Sequence, residues 1–485
     1  MKSKIKDLKG NAITGLRFSA ASKIIEIILV IAIAIAMARL LEPSDFGIIA
    51  MCSVFTGVST LLMNLGTSDA IIRHDSYKIN QEFLSSIFWL NLLMGVVTTL
   101  IIIFISGWIS RLYGYEIMQS IVAILSVNTM SSALVNVPNS IIIRNLEFKK
   151  ILLQKIIILP ISGFIGIMMA LNGYGIWSLV TQQVIYVTGG SFILWFLSKW
   201  FPALSFDVKH IKSIYHFSAY LSLSKLVNYF TKKGDIFLIG KYIGSESLGI
   251  YSKCYQFTVQ ITKSINGVII KVLYPSISKV KDNKKMLSKV FLSVSQVMLS
   301  LYSVIFLIGA MYSKELVYVV LGEKWGGVAP LIPVFLLLGL FLGMGSISSH
   351  FLKALGHAKL VFKIVFVSSV FTLISFVIGL QWGIMGVSVG YLFSNIILNF
   401  LLFNKCMEYL PIKRVDIATI FLKNIAAFFI IWLTVGMLMT SINIEKEYIR
   451  LLSGVSSILF LTMLYNIVFN TLEWKSFQFF IGNKV

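Results

Sequence analysis

Apolar runs of about twenty residues recur along this chain, and few folds can accommodate them. Each run is long enough to cross a hydrocarbon core roughly 30 Å thick as a single helix. Windows of about 19 residues place about fourteen such spans, near 18–39, 46–66, 84–106, 117–137, 152–171, 176–197, 214–239, 248–270, 288–310, 329–350, 361–380, 384–403, 419–440 and 449–470. The seventh and eighth are the least apolar. Only 13% of the 485 residues are charged and mean hydropathy is +0.87, where a soluble domain carries about 25% charge. Strands of a membrane barrel would be about ten residues of alternating polarity, a pattern absent here. The expected fold is an all-α polytopic membrane protein.

Net charge is +22. On a soluble chain that balance would point to nucleic acid. Here the Lys and Arg fall in alternate loops, about 25 in one set and about 5 in the other, so the first set should face the cytoplasm. The basic set includes the N-terminus, Arg144/Lys149/Lys150, Lys199/Lys209/Lys212, Lys271 to Lys285 and the C-terminus. An even span count then puts both termini in the cytoplasm. Cys52, Cys254 and Cys406 lie in or beside apolar runs and form neither a disulfide framework nor a metal-ligand spacing. The first run follows Lys2, Lys4, Lys6 and Lys9 like a signal peptide. It is longer than a usual signal core, and an echo of it later in the chain argues that it is kept.

That echo is an internal repeat. Phe18-Ser19-Ala20 is answered by Phe217-Ser218-Ala219, and Ser44-Asp45-Phe46-Gly47-Ile48 by Glu246-Ser247-Leu248-Gly249-Ile250. Asn172-Gly173-Tyr174-Gly175-Ile176-Trp177 opens span six as Gln381-Trp382-Gly383-Ile384-Met385-Gly386 opens span twelve. Spans 1–6 thus match spans 7–12. The expected organisation is a six-helix lobe over 1–200, a second over 201–410, and two further helices over 411–485. With an even number of spans per repeat, both lobes insert the same way up, and substrate is expected between them.

Charged groups inside a bilayer usually face protein or a wet cavity. On span one, Ser19, Ser22, Lys23 and Glu26 share a helical face. On span seven, Ser218, Ser222, Lys225, Tyr229, Lys232 and Asp235 do the same, and span eight adds Lys253, Gln256, Gln260 and Lys263. Lys23, Lys225, Lys232, Lys253, Gln256 and Gln260 are the candidate lining of a cationic cavity for an anionic substrate. Glu26 and Asp235 are candidates for coupling transport to H+ or Na+. The bland readings stand beside these. Lys23 and Lys263 could snorkel to headgroups, Glu26 could pair with Lys23 on its own helix, and Lys232-Lys233-Gly234-Asp235 could be a local ion pair. His350 and His357 lack metal-site spacing. There is no P-loop, no Asp-x-Asp pair and no G-x-S-x-G elbow. No external loop is long enough for a catalytic domain, the longest running from about Met311 to Val328. No cofactor and no covalent chemistry are expected.

The segment Ala38-Arg39-Leu40-Leu41-Glu42-Pro43-Ser44-Asp45-Phe46-Gly47 resembles the start of Wzx-type polysaccharide flippases, as do Asn64-Leu65-Gly66 and Ala70-Ile71-Ile72-Arg73. Leu248-Gly249-Ile250-Tyr251-Ser252, Leu273-Tyr274-Pro275-Ser276 and the Arg144–Lys150 loop extend the likeness over nearly the whole chain. That family belongs to the multidrug/oligosaccharidyl-lipid/polysaccharide superfamily, with the multidrug-extrusion proteins and the lipid II flippases. The resemblance is closest to the colanic-acid and teichuronic-acid exporter branch. It implies alternating access between two six-helix lobes in a bacterial cytoplasmic membrane. The cargo would be an undecaprenyl-diphosphate-linked oligosaccharide, and polymerase and glycosyltransferases would be functional neighbours. The rival readings are a drug/cation antiporter of the same fold and a membrane-embedded polysaccharide polymerase or ligase.

Overall fold

A computed structural model describes residues 26–64, 66–73, 80–280, 283–441 and 447–468. Every regular element among them is helical. The helices are α1 (26–40), α2 (Pro43–Asn64), α3 (Thr67–Arg73), α4 (Gln81–Tyr113), α5 (Ile117–Leu125), α6 (Val127–Arg144), α7 (Phe148–Leu171), α8 (Ile176–Ser198) and α9 (Val208–Tyr242). They continue with α10 (Ser245–Val280), α11 (Lys284–Met311), α12 (Ser313–Val320), α13 (Ile332–Ala354), α14 (Ala358–Gly379), α15 (Gly383–Tyr409), α16 (Arg414–Ser441) and α17 (Glu447–Val468).

Among the described residues, ten stretches are long and apolar enough to cross a membrane, and the chain is a multi-pass membrane protein. One of the ten, Ala358–Tyr409, turns at Gly383 into α14 and α15. α9 and α10 are long enough but not apolar enough to be among the ten. Together with α1, these elements are consistent with the expected total of about fourteen.

Local sequence explains the helix ends. Pro43 opens α2, and the Asp45 carboxylate accepts from the Glu42 amide at 3.2 Å, closing the first turn on itself. Asn80 caps α4 by accepting from the Phe83 amide at 2.8 Å, and Gly114 ends that helix at φ 78°. Asp207 and Asn283 cap α9 and α11 in the same way as Asn80. Span four is broken at Ser126 into α5 and α6, with the Ser126 hydroxyl donating to the Ala123 carbonyl.

By packing, the chain divides into two compact units, Met1–Gly249 and Ile250–Val485. In the first unit, α9 runs along α2. The connection into α9 is stitched to the start of α4. The Ala203 and Asp207 amides donate to Ser85 and Ser86, and the Trp89 and Trp200 indoles donate to the Ala203 carbonyl and to Gln81. The repeat glycines also meet in this unit. A Cβ on Gly47 would lie 1.8 Å from the Ser245 carbonyl oxygen, and one on Gly249 would lie 1.8 Å from that of Pro43. Two backbones thus cross where only glycine leaves room.

The second unit has a core of Phe291, Phe351, Leu352 and Cys406 joining α11, α13 and α15. A second cluster of Leu307, Tyr312, Ile431, Val435 and Ile458 ties α16 and α17 onto α11. The expected external loop near Met311–Val328 is ordered as α12 and a 3-10 helix, Glu323–Leu331, with Trp325 fully buried.

Candidate functional site

In the first unit the polar stripe of α9 meets α2 and α3. The Lys225 ammonium is ion-paired with the Asp69 carboxylate of α3, across 156 residues of sequence. One turn further, the Tyr229 hydroxyl lies within hydrogen-bonding distance of the Ser53 and Val54 carbonyls, at 2.9 and 3.0 Å. Its ring tip occupies the space beside Gly57, where a Cβ would lie 2.0 Å from the hydroxyl oxygen. The missing side chain at 57 is what lets α9 lie this close to α2. Lys232 is exposed. Asp235 is 2% exposed, and its carboxylate accepts from the Ile236 amide at 2.7 Å.

Glu26 on α1 accepts from the Lys155 ammonium of α7 at 3.0 Å. Lys155 is a functional candidate that sequence reasoning missed. It is a lone charge within an apolar run, whereas Lys225 stood out as a step in a polar stripe. The pairing itself spans 129 residues and leaves no mark in local spacing.

In the second unit, Lys253 of α10 is 4% exposed, with its ammonium 5.7 Å from the centre of the Trp325 ring. An indole face attracts a cation through its quadrupole, and this attraction strengthens when water is excluded. On the same helix, Tyr251 and Tyr255 join Phe335 and Tyr391 in a chain of ring contacts 5.2 to 6.4 Å apart. Gln260 is half-buried, and Gln256 and Lys263 are exposed. Trp325 was not anticipated as the partner of Lys253, because it lies on the segment read as a plain loop.

Ser19, Ser22 and Lys23 lie outside the described residues, as do the side chains of Ser218 and Ser222. Among the described residues, no cluster of His, Cys, Asp and Glu could hold a metal ion. His350 bonds the Ser346 carbonyl at 2.7 Å, and His357 stacks on Tyr409 at 3.7 Å.

The described arrangement is a set of membrane helices carrying fixed positive charge next to aromatic and hydroxyl groups. Such a set can attract and orient an anion without reacting with it.

Comparison with known proteins places the chain in a family. The profile of a family described as "Polysaccharide biosynthesis protein" matches residues 36–330. The teichuronic acid biosynthesis protein TuaB of Bacillus subtilis is 28% identical over 311 residues, covering 63% of this chain and 64% of TuaB. The chain thus spans a little under two thirds of that relative. The lipopolysaccharide biosynthesis protein WzxC of Escherichia coli is 24% identical, covering 80% of each chain. Among solved structures, the lipid II flippase MurJ in an inward closed conformation superimposes with a TM-score of 0.74 at 16% identity, over 93% of this chain and 98% of MurJ. An inward-facing MATE-family multidrug transporter gives 0.61 at 13% identity, over 79% and 94%. At these identities the structural likenesses establish a MurJ/MATE-like fold. With that fold, and with a family profile matched across most of its length, the chain belongs to the polysaccharide biosynthesis protein family of membrane proteins.

Proposed function

We propose that this protein moves undecaprenyl-diphosphate-linked oligosaccharide units from the inner to the outer leaflet of a bacterial cytoplasmic membrane, without covalent chemistry. The observation that carries the reading is Lys253. A lysine held almost fully buried beside Trp325 in a membrane helix marks a functional site by default, because charge is rare at such depth. A diphosphate is an anion, and in a low-dielectric site a lysine attracts it far more strongly than in water. Lys225 and Lys232 on α9, with Lys23 on the first span, would offer further positive charge to the headgroup. Gln256 and Gln260 would offer hydrogen bonds to the sugars.

The names of the relatives support this reading. TuaB and WzxC are biosynthesis proteins of surface polysaccharides, and ExoT of Rhizobium meliloti is a succinoglycan biosynthesis transport protein. The two repeats, 1–200 and 201–410, would alternate access to the two sides, with both termini in the cytoplasm. Coupling to H+ or Na+ would run through Glu26 or Asp235. In the described state Glu26 is held by Lys155 at 3.0 Å, so an entering cation would have to displace the ammonium. Glycosyltransferases would supply the cargo and a polymerase would receive it.

A drug/cation antiporter is the main rival, because the MATE fold is shared. Deleting the gene separates the two. A flippase predicts loss of surface glycan with unchanged drug resistance. Altered resistance with normal glycan would replace the present reading by the antiporter. A polymerase or ligase predicts that single lipid-linked units still reach the outer leaflet in the deletion strain, whereas a flippase predicts that they stay inside.

A further inference from the structure

Four large apolar side chains stand out from the segment that joins α8 to α9. Leu204 is 95% exposed and Phe201 64%, and Phe206 and Val208 are each more than half exposed. Lys199, Lys209 and Lys212 are exposed beside them. The one carboxylate of the stretch, Asp207, is taken up in accepting from the Lys209 amide at the start of α9. The segment is held by its backbone. The Gln81 side-chain amide donates to the Phe201 carbonyl at 2.6 Å and the Trp89 indole to the Ala203 carbonyl at 2.9 Å, while the Ala203 and Asp207 amides donate to Ser85 and Ser86. These backbone groups are spent on α4, and the four apolar side chains are left on the outside.

The depth of the segment follows from α4. That helix has 33 residues, about 50 Å at 1.5 Å per residue, against a hydrocarbon core of roughly 30 Å. It overshoots the core, and Gln81 and Glu82 make its start polar, so the first turns, where the segment is bonded, reach the headgroup layer. Trp89, Trp195 and Trp200 gather around Phe88 at the same level, as indoles do at a membrane interface.

We propose that this segment, 199–212, is an interfacial anchor for anionic phospholipid. Phe201, Leu204, Phe206 and Val208 enter the boundary between headgroups and acyl chains, and Lys199, Lys209 and Lys212 hold headgroup phosphates. Apolar surface this exposed is favourably removed from water, and lysines beside it select an anionic over a zwitterionic headgroup. A protein partner would need the surface clear of the bilayer, and the bonds to α4 keep it at headgroup depth. The anchor rests on this segment alone, independently of the cargo proposed above.

The test uses full-length protein carrying Leu204→Cys labelled with a bimane fluorophore, with protein lacking the substitution as the blank. The native Cys52, Cys254 and Cys406 are buried and should stay unlabelled. The protein is placed in vesicles of phosphatidylcholine and phosphatidylglycerol, with bromine on the chains of one lipid or the other. Brominated lipid should quench the label, and aqueous iodide should not reach it. Bromine on phosphatidylglycerol should quench about fivefold more efficiently than on phosphatidylcholine, the preference that one lysine near an anionic surface confers. Lys199→Gln, Lys209→Gln and Lys212→Gln together should abolish that preference and leave the shielding from iodide. Phe206→Cys gives a second label position should the Leu204→Cys protein fail to insert. Full quenching by iodide with no effect of brominated lipid overturns the proposal and would assign the face to a protein partner. Equal quenching by the two brominated lipids, unchanged by the lysine substitutions, overturns the choice of an anionic headgroup and the proposal with it.

Discussion

Lys253 and Lys225 sit in contrasting surroundings, and the contrast makes them separable by mutation. Lys253 is 4% exposed, and Lys253→Met removes its charge while keeping an unbranched side chain of similar length in the same space. That variant should stay folded in the membrane while surface polysaccharide falls by about tenfold or more, the cost of one charge-assisted contact. A melting point that drops with export unchanged would make Lys253 a packing residue. Lys225 and Asp69 are 40% and 37% exposed, where an ion pair is worth about 0.2–1 kcal/mol. Lys225→Ala should leave stability nearly unchanged and still lower export, whereas Asp69→Asn, which releases the lysine, should keep export. Equal loss in both variants would assign the pair to structure alone. The lysines were legible as polar steps on a helix, because the spacing of three and four survives in the sequence. Their partners Asp69 and Trp325 were not, nor was Lys155 as the partner of Glu26: each approaches from another element, and only folding brings it there.

At the level of helices, the crossing of α2 and the first turn of α10 is the most constrained contact described. Gly47→Ala or Gly249→Ala would place a methyl group 1.8 Å from a backbone carbonyl. Overpacking typically costs about 1–3 kcal/mol, and a backbone atom has no rotamer by which to escape. Each variant should lower the unfolding temperature of the purified protein by several degrees, and an unchanged temperature would show that the crossing is not closed in the native state. Both glycines were visible beforehand as members of one repeat, yet their mutual approach was not, since a repeat says which residues correspond and not which touch. Hydropathy recovered most of the spans. It underrated α9 and α10 because their lysines, which carry the functional argument, also lower the apolar average. The break at Ser126 gave no signal because no Pro or Gly marks it in the sequence.

For the whole molecule, the distribution of Lys and Arg predicts that both termini face the cytoplasm. A green fluorescent protein fused after Val485 should fluoresce, and alkaline phosphatase fused there should be inactive; the reverse pattern would invert the assignment of every loop. Fold class followed from run length and repeat, and the MurJ-like superposition agrees with it. The chemical identity of the glycan is not written in the helices, because a site that grips a diphosphate can remain indifferent to the sugars beyond it. The central claim is that this chain by itself moves an anionic lipid-linked oligosaccharide across a bilayer. Purified protein in sealed vesicles, given an undecaprenyl-diphosphate-linked oligosaccharide with a fluorescent sugar, measures this directly through the fraction of label that an impermeant quencher can reach. Wild-type protein should make the protected label reachable over time, and Lys253→Met should slow that transfer by about tenfold or more. Transfer no faster than in protein-free vesicles, or at the same rate with Lys253→Met, would contradict the account.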